Sequence, residues 1–201
     1  MNELLIATRN KGKVREIKAL LKDFKIKITS LNDYRNMPTI DEDGDTFEAN
    51  ALKKAVTIAM YAKKLTMGED SGLEVKALQN QPGVYSARFS GENATDKRNN
   101  QKLLRLLKKT PLKKRQARYH CIAVLADGKK VIDVVKGSCS GVIALKEKGR
   151  NGFGYDPLFL IPRYKKTFGE LPLEIKSQIS HRARALKKLK KSIEKYLRSH
   201  P

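Results

Sequence analysis

Residues 3–8 (ELLIAT) form a nearly continuous apolar run, the pattern of a short buried strand. A turn through Gly12 follows. Val14, Ile17, Leu20, Leu21 and Phe24 then recur at helical spacing, so the chain opens on a β-turn-α unit. Residues 26–31 read as a second strand and 32–45 as an irregular acidic loop with Pro38 and Gly44. Over 46–65, Phe47, Ala51, Ala55, Ile58, Ala59 and Ala62 share one helical face behind Thr46, a suitable N-cap. A short strand then ends in Gly68-Glu69-Asp70-Ser71-Gly72 and is followed by Leu73-Glu74-Val75. Residues 79–96 carry loop chemistry, and a helix is predicted over about 96–109. The alternating segments 117–126 and 129–136 flank Asp127-Gly128, the strongest hairpin signal in the chain. A third strand over 141–146, a glycine-rich loop over 149–157 and the apolar run Leu158–Ile161 come next. The closing helix is capped by Ser180 and carries the stripe Ala183, Leu186, Leu189, Ile193 and Leu197. A βα opening with later antiparallel strands predicts an α/β chain, a mixed sheet with helices around it, as one domain or two lobes sharing a core.

Composition narrows the class. Of 201 residues, 40% are apolar and 32% charged, the balance of a soluble globular protein. No apolar run reaches the ~18–20 residues that cross a bilayer, and the first residues lack the basic and long apolar regions of a signal peptide, so the expected location is cytoplasmic. Cys121 and Cys139 have no metal-ligand spacing and are expected in strands as small hydrophobes. The net charge of +22 attracts anions, with much of the excess in Lys108–Arg118 and Lys187–Arg198. Those cations fall on the polar sides of their segments and read as solvated faces. Without an RNP-like strand, zinc finger or helix-turn-helix pattern, charge alone supports only weak, non-specific attraction to nucleic acid.

Four segments carry candidate chemistry. Thr8-Arg9-Asn10-Lys11-Gly12-Lys13, between strand and helix, gathers backbone N–H groups and a positive helix end in the outline of a phosphate site. It is not a P-loop, since Ala7 and Val14 stand where that motif needs Gly and Ser or Thr, and an ordinary basic turn fits the spacing equally. Glu69-Asp70-Ser71-Gly72 suits a metal or general-base position, or simply a turn, and the acids Asp41, Glu42, Asp43 and Asp45 offer a further ligand. Asn151-Gly152-Phe153-Gly154-Tyr155-Asp156-Pro157 lacks the third glycine and following helix of a dinucleotide fingerprint. It holds Phe153 either for stacking on a flat base or in the core. In Ser180-His181-Arg182, a cation in the first helical turn opposes the helix dipole and calls for an anion beside it.

In chain order, TRNKGK, TFEANA, EDSGLEV, PGVYSARFSG, GFGYDPLF and SHRARAL resemble the inosine triphosphate pyrophosphatase family, over about residues 4–197. The resemblance implies an elongated mixed β-sheet flanked by helices, two lobes with a cleft between them, and a homodimer. The implied reaction is hydrolysis of ITP, dITP and XTP to the monophosphate and pyrophosphate, with Mg2+ as cofactor. Carried over by position, Thr8, Arg9, Asn10, Lys11, Gly12 and Lys13 form the triphosphate-binding turn, and Lys54 lies near the phosphates. Asp70 matches the catalytic base and a magnesium ligand, with Glu69 the alternative base and Ser71 contacting substrate. Phe153, Gly154, Tyr155 and Asp156 match the base-recognition loop, and Lys176, His181 and Arg182 the remaining nucleotide contacts. The second metal ligand, usually a glutamate three residues before the loop glycine, falls on Asp41, with Glu42 able to substitute. Arg9 stands where Gly or Asn is common, either aiding phosphate binding or pointing into solvent. Altered pyrimidine nucleotides and ordinary dNTPs are the rival substrates.

Overall fold

The computed structural model describes residues 3–200. The βα opening forms as β1 (Glu3–Ile6) and α1 (Lys11–Leu20), with Asn10 capping the helix by accepting the Lys13 N–H at 3.0 Å. Strand β2 (Lys27–Ser30) runs parallel to β1, pairing Ile28 with Leu4. Helix α2 (Phe47–Ala62) starts behind Thr46, which accepts the Ala49 N–H, and stops at Lys63 in the left-handed region. The remaining principal elements are β3 (Thr66–Val75), α3 (Asp96–Leu106), β4 (Gln116–Asp127), β5 (Lys130–Ile143), β6 (Phe159–Ile161), β7 (Lys166–Thr167), α4 (Leu173–Ile179) and α5 (His181–Ser199). Hydrogen bonding orders the seven strands β2-β1-β3-β4-β5-β6-β7. β1 is parallel to both its neighbours, whereas β5, β6 and β7 pair antiparallel, so the sheet is mixed. The chain is an α/β protein, as its pattern predicts.

Three local expectations change. Glu69-Asp70-Ser71-Gly72 is not a turn closing a short strand but the middle of the ten-residue β3. β3 lies between β1, which pairs with it at Thr66 and Met67, and β4, and this sheet context overrides the turn propensity of Asp-Ser-Gly. The segments expected at 129–136 and 141–146 merge into one strand, β5, which runs unbroken through Gly137 beside β4 and ends at Ile143. Helix α4, just before Ser180, is an element the pattern does not predict; its seven residues are too few to show a helical period. The Asp127-Gly128 hairpin forms as expected, with Gly128 at φ +53.

The chain divides into two compact units. The first takes the described residues up to Asp70, then Cys121–Gly137, and those from Arg182 onward. Its β4 segment buries both faces by simple alternation. Cys121, Ala123 and Leu125 join Ile17, Leu21 and the α5 stripe of Leu186, Leu189 and Ile193, while Ile122, Val124 and Ala126 meet Ala51, Ala55 and Ala59 of α2. The second unit comprises Ser71–His120 and Ser138–His181. Its core centres on Tyr119, Phe159 and Phe168, with ring centroids 4.6 Å apart for Tyr119–Phe159 and 5.3 Å for Phe159–Phe168. Both cysteines are buried strand residues and free thiols.

The basic segments are solvated, with one exception. Lys108, Lys109, Lys113, Lys114 and Arg118 are exposed, but Arg115 is buried and donates to the carbonyls of Leu107, Thr110 and Ala144 at 2.7–3.1 Å. It holds loop backbone rather than adding to the surface charge. Among the described residues no helix is long and apolar enough to cross a membrane.

Candidate active site

The acidic loop, α2 and β3 meet at Asp70 in the first unit. Side chains alternate along β3, so Gly68 and Asp70 face α2 while Glu69 faces away. Gly68 is required by that packing: a Cβ there would lie 2.3 Å from the Ala51 carbonyl oxygen and 2.5 Å from the Ala55 nitrogen. The close approach brings two α2 side chains onto Asp70. Lys54 Nζ donates to Asp70 Oδ1 at 3.0 Å and also lies 3.0 Å from Glu42 Oε2. Asn50 donates to Asp70 Oδ2 at 3.4 Å, and its Oδ1 accepts the Gly44 N–H at 2.8 Å, tying the acidic loop to the strand. We expect Gly68→Ala to destabilise the fold by about 1–3 kcal/mol and to lower the melting temperature by roughly 2–10 °C. An unchanged melting curve would show that α2 does not press on β3 there.

Burial pushes the Asp70 carboxyl above the usual aspartate range. Lys54 and Lys13 pull it back only in part, and the Glu42 charge pushes the same way as burial. Burial works against the charge on Lys54, yet Asp70 and Glu42 outweigh it and hold the ammonium above its ordinary value. For Glu42 the attraction of Lys54 and Lys13 exceeds the burial penalty, and its pKa is lowered. The result is an ammonium held between two carboxylates. Of the two acids left open by the sequence, both are exposed, and Glu42 is the one that pairs with Lys54.

On the opposite side of β3, Glu69 is fully committed. Arg182 Nη2 and Nε donate to its two oxygens at 3.1 and 3.3 Å, and the same guanidinium donates to Glu16. Cys121 Sγ donates to Glu69 Oε1 at 3.5 Å, and Lys13 Nζ lies 3.7 Å from Oε2. Arg182, Glu16 and Glu69 are all buried. The anion that an arginine in the first turn of α5 demands is therefore the protein's own pair of carboxylates. Burial lowers the Arg182 pKa, but Glu69 and Glu16 more than restore it, so the guanidinium stays charged.

The Thr8–Lys13 turn presents the N-terminus of α1. No acid occupies its first turn, and Lys11, Gly12 and Lys13 supply N–H groups and charge there. Thr8 Oγ1 accepts the Asn10 N–H at 3.2 Å. Arg9, itself exposed, donates to the carbonyls of Leu31 at 3.0 Å and Met37 at 3.2 Å, fastening the segment after β2.

In the second unit, the 152–156 loop is drawn tight around Asp156, whose Oδ2 accepts the Phe153 N–H at 2.8 Å and pairs with the buried Lys176. Gly152, at φ +79, is needed because a Cβ would lie 1.9 Å from that oxygen. Phe153 is half-buried and outside the core clusters, with Lys176 Nζ 5.2 Å over its ring. Tyr155 is buried and donates its hydroxyl to the Ser86 carbonyl at 2.8 Å; burial, helped by the Asp96 charge, pushes the phenol well above its ordinary pKa and keeps that proton in place. His181 stacks on Tyr119, centroids 4.5 Å apart. Ser71 is half-buried in β3, next to Asp70 in the chain. Sequence reasoning brought out the loop, Lys176 and His181. It missed Glu16, Asn50, Asp96 and Asn100, of which only Glu16, one turn from Lys13 on α1, left a trace as an acid beside an apolar stripe.

Among the described residues no group of three or more His, Cys, Asp or Glu is arranged to hold a metal. The chemistry of the donors still fits magnesium. That ion is commonly held by one or two carboxylates together with substrate phosphates, and two hard carboxylates already converge here on a cation, the Lys54 ammonium.

The first unit thus holds a carboxylate–ammonium cluster and an open helix N-terminus, and the second a glycine-framed aromatic loop. The Ham1 family model matches residues 4–192, and the chain belongs to that family. A dITP/XTP pyrophosphatase of Desulforamulus reducens is 49% identical over 186 residues, 92% of each chain. One of Shouchella clausii is 49% identical over 194 residues, 96% of this chain and 98% of the other. The structure of a HAM1 protein from Coxiella burnetii superposes with a TM-score of 0.86 at 36% identity, covering 97% of this chain and all of that one. The resemblance carried by the six sequence motifs is thus borne out.

Proposed function

We propose that this chain is a nucleoside triphosphate pyrophosphatase that hydrolyses dITP, ITP and XTP to the monophosphate and pyrophosphate. It clears them from the nucleotide pool of the cytoplasm as a homodimer of two-lobed catalytic domains. The observation that carries this reading is the 49% identity, over more than nine-tenths of both chains, to dITP/XTP pyrophosphatases. The Asp70–Lys54–Glu42 cluster supports the chemistry.

Asp70 takes the proton of the attacking water. The water oxygen bonds to the α-phosphorus, the bridge from that phosphorus to the β-phosphate oxygen breaks, and pyrophosphate leaves with the bridging oxygen. Asp70 is favoured over Glu69 as base because the Arg182 fork holds both Glu69 oxygens. Lys13, Lys54 and the α1 N-terminus offset charge on the departing pyrophosphate, with the Thr8–Lys13 turn binding the triphosphate. Asp70 and Glu42 would hold magnesium, with Asp41 the neighbouring alternative. When bound, that ion supplies positive charge against the phosphate oxygens. Phe153 stacks on the purine, and the Gly154–Asp156 backbone, Lys176 and His181 read its edge. Groups that pair with a 6-keto oxygen are left unpaired by adenine, which presents a donor there, and that penalty discriminates strongly. Rejection of guanine turns on the 2-position.

Product analysis with ITP, dITP, XTP, GTP, ATP and dTTP in the presence of magnesium tests the assignment. We expect IMP, dIMP and XMP with pyrophosphate, at rates at least about 100-fold above those for GTP and ATP. Uniformly slow turnover, release of orthophosphate, or preference for dTTP would overturn the substrate assignment.

A further inference from the structure

The loop at 152–156 is not held by its own hydrogen bonds alone. Helix α3 grips Gly154 from two sides. The Asp96 carboxylate accepts the Gly154 N–H at 2.7 Å, and Asn100 Nδ2 donates to the Gly154 carbonyl at 3.1 Å. The two residues are one helical turn apart and so share a face. Asn100 is buried, and its Oδ1 has no hydrogen-bond partner among the described residues. A buried amide satisfied on one side only is poor for stability, so packing does not account for an asparagine at this position, whereas the bond to Gly154 does. The same helix braces the PGVYSARFSG segment. Asn99 Oδ1 accepts the Ser90 N–H at 2.8 Å, and its amide donates to the Ala87 carbonyl at 3.1 Å and the Ser86 carbonyl at 3.3 Å. Ser86 is also where Tyr155 is anchored. Both neighbours of the loop's central residues are therefore referred to one rigid helix.

We propose that Asp96 and Asn100 are positioning residues for base selection: by fixing both backbone groups of Gly154 they set the height and tilt at which residues 153–156 meet the purine. Neither needs to touch the substrate. The inference rests on the reading of 153–156 as the base-recognition loop. It also gives the PGVYSARFSG motif a role, as the counter-support against which α3 and Tyr155 hold that loop.

The test uses the full chain with Asp96→Ala, Asp96→Asn, Asn100→Ala and Phe153→Ala, reading KM and kcat separately for XTP, the XTP-to-GTP ratio of kcat/KM, and the melting temperature. Asp96→Ala and Asn100→Ala are expected to raise KM for XTP about tenfold, the size of one lost hydrogen bond, with kcat within about threefold and a smaller XTP-to-GTP ratio. Asp96→Asn is the discriminating variant. It loses the same negative charge in the first turn of α3, and any stability that charge gives, but keeps an oxygen for the Gly154 N–H, so its KM should stay within about twofold of the parent. Because Asp96 is exposed, its variants fold even if Asn100→Ala does not. Equal KM values for Asp96→Ala and Asp96→Asn would overturn the proposal. So would unchanged KM in Asp96→Ala while Phe153→Ala raises it, which leaves the base-loop reading standing. If Phe153→Ala also leaves KM unchanged, the base-loop reading itself falls, and the positioning role with it.

Discussion

Replacing Asp70 by asparagine is expected to lower kcat for XTP by about 10³-fold, the range of a lost general base combined with lost electrostatic support. The substitution changes no volume, and an asparagine Oδ1 still accepts from Lys54, so the melting temperature should shift by no more than about 3 °C. The size of the effect follows from the site's charge balance. Burial raises the Asp70 pKa, which makes its carboxylate a better base than a solvated aspartate, while Lys54 at 3.0 Å keeps it aligned. An amide can neither take the proton nor counter the ammonium. Steady-state turnover and a thermal melt on the same preparation decide the matter. Undiminished turnover would transfer the role to Glu42, the other carboxylate at Lys54, since Glu69 is engaged by Arg182 on the opposite side of the strand.

Much of this arrangement is written locally. The ELLIAT run, the Thr46 cap and the Asp127-Gly128 hairpin each depend on a few adjacent residues, and each forms as the pattern predicts. Asp70 and Lys54 also stand out in the sequence, but the contact between them does not. It depends on Gly68 admitting α2 to the face of β3, a tertiary fact that reads locally as turn chemistry. Which of Asp41 and Glu42 pairs with Lys54 is illegible for the same reason. Adjacent acids in an irregular loop are equivalent until Asn50 fixes Gly44 and thereby the loop's path. Asn50 lies within TFEANA but, like Asp96 and Asn100, shows no chemical role in the sequence, because the three bind backbone or carboxylate across gaps of 6 to 58 residues. The basic surface is legible as solvated, yet Arg115 within it is indistinguishable from its neighbours until three carbonyls are seen around its guanidinium.

Arg182→Met is expected to be the most destabilising single change at the site, costing about 3–5 kcal/mol and lowering the melting temperature by roughly 6–20 °C. Removing the guanidinium leaves Glu16 and Glu69, each nearly inaccessible to water, facing one another without the cation that offset their burial. Lys13, 3.7 Å from Glu69, is too far to replace a two-pronged contact. The penalty comes from the stranded charges rather than from the lost arginine, which makes a sharp comparison possible. Adding Glu16→Gln and Glu69→Gln to Arg182→Met should recover at least half of the lost stability, because a buried ion cluster replaced as a whole costs far less than one that is broken. Chemical denaturation of the single and triple variants measures this directly. If the triple variant is no more stable than Arg182→Met alone, the arginine's contribution lies in packing around α5 and not in holding the two carboxylates. If it recovers, the charge triad is what fixes Glu69 on the far side of β3 and leaves Asp70 to face Lys54.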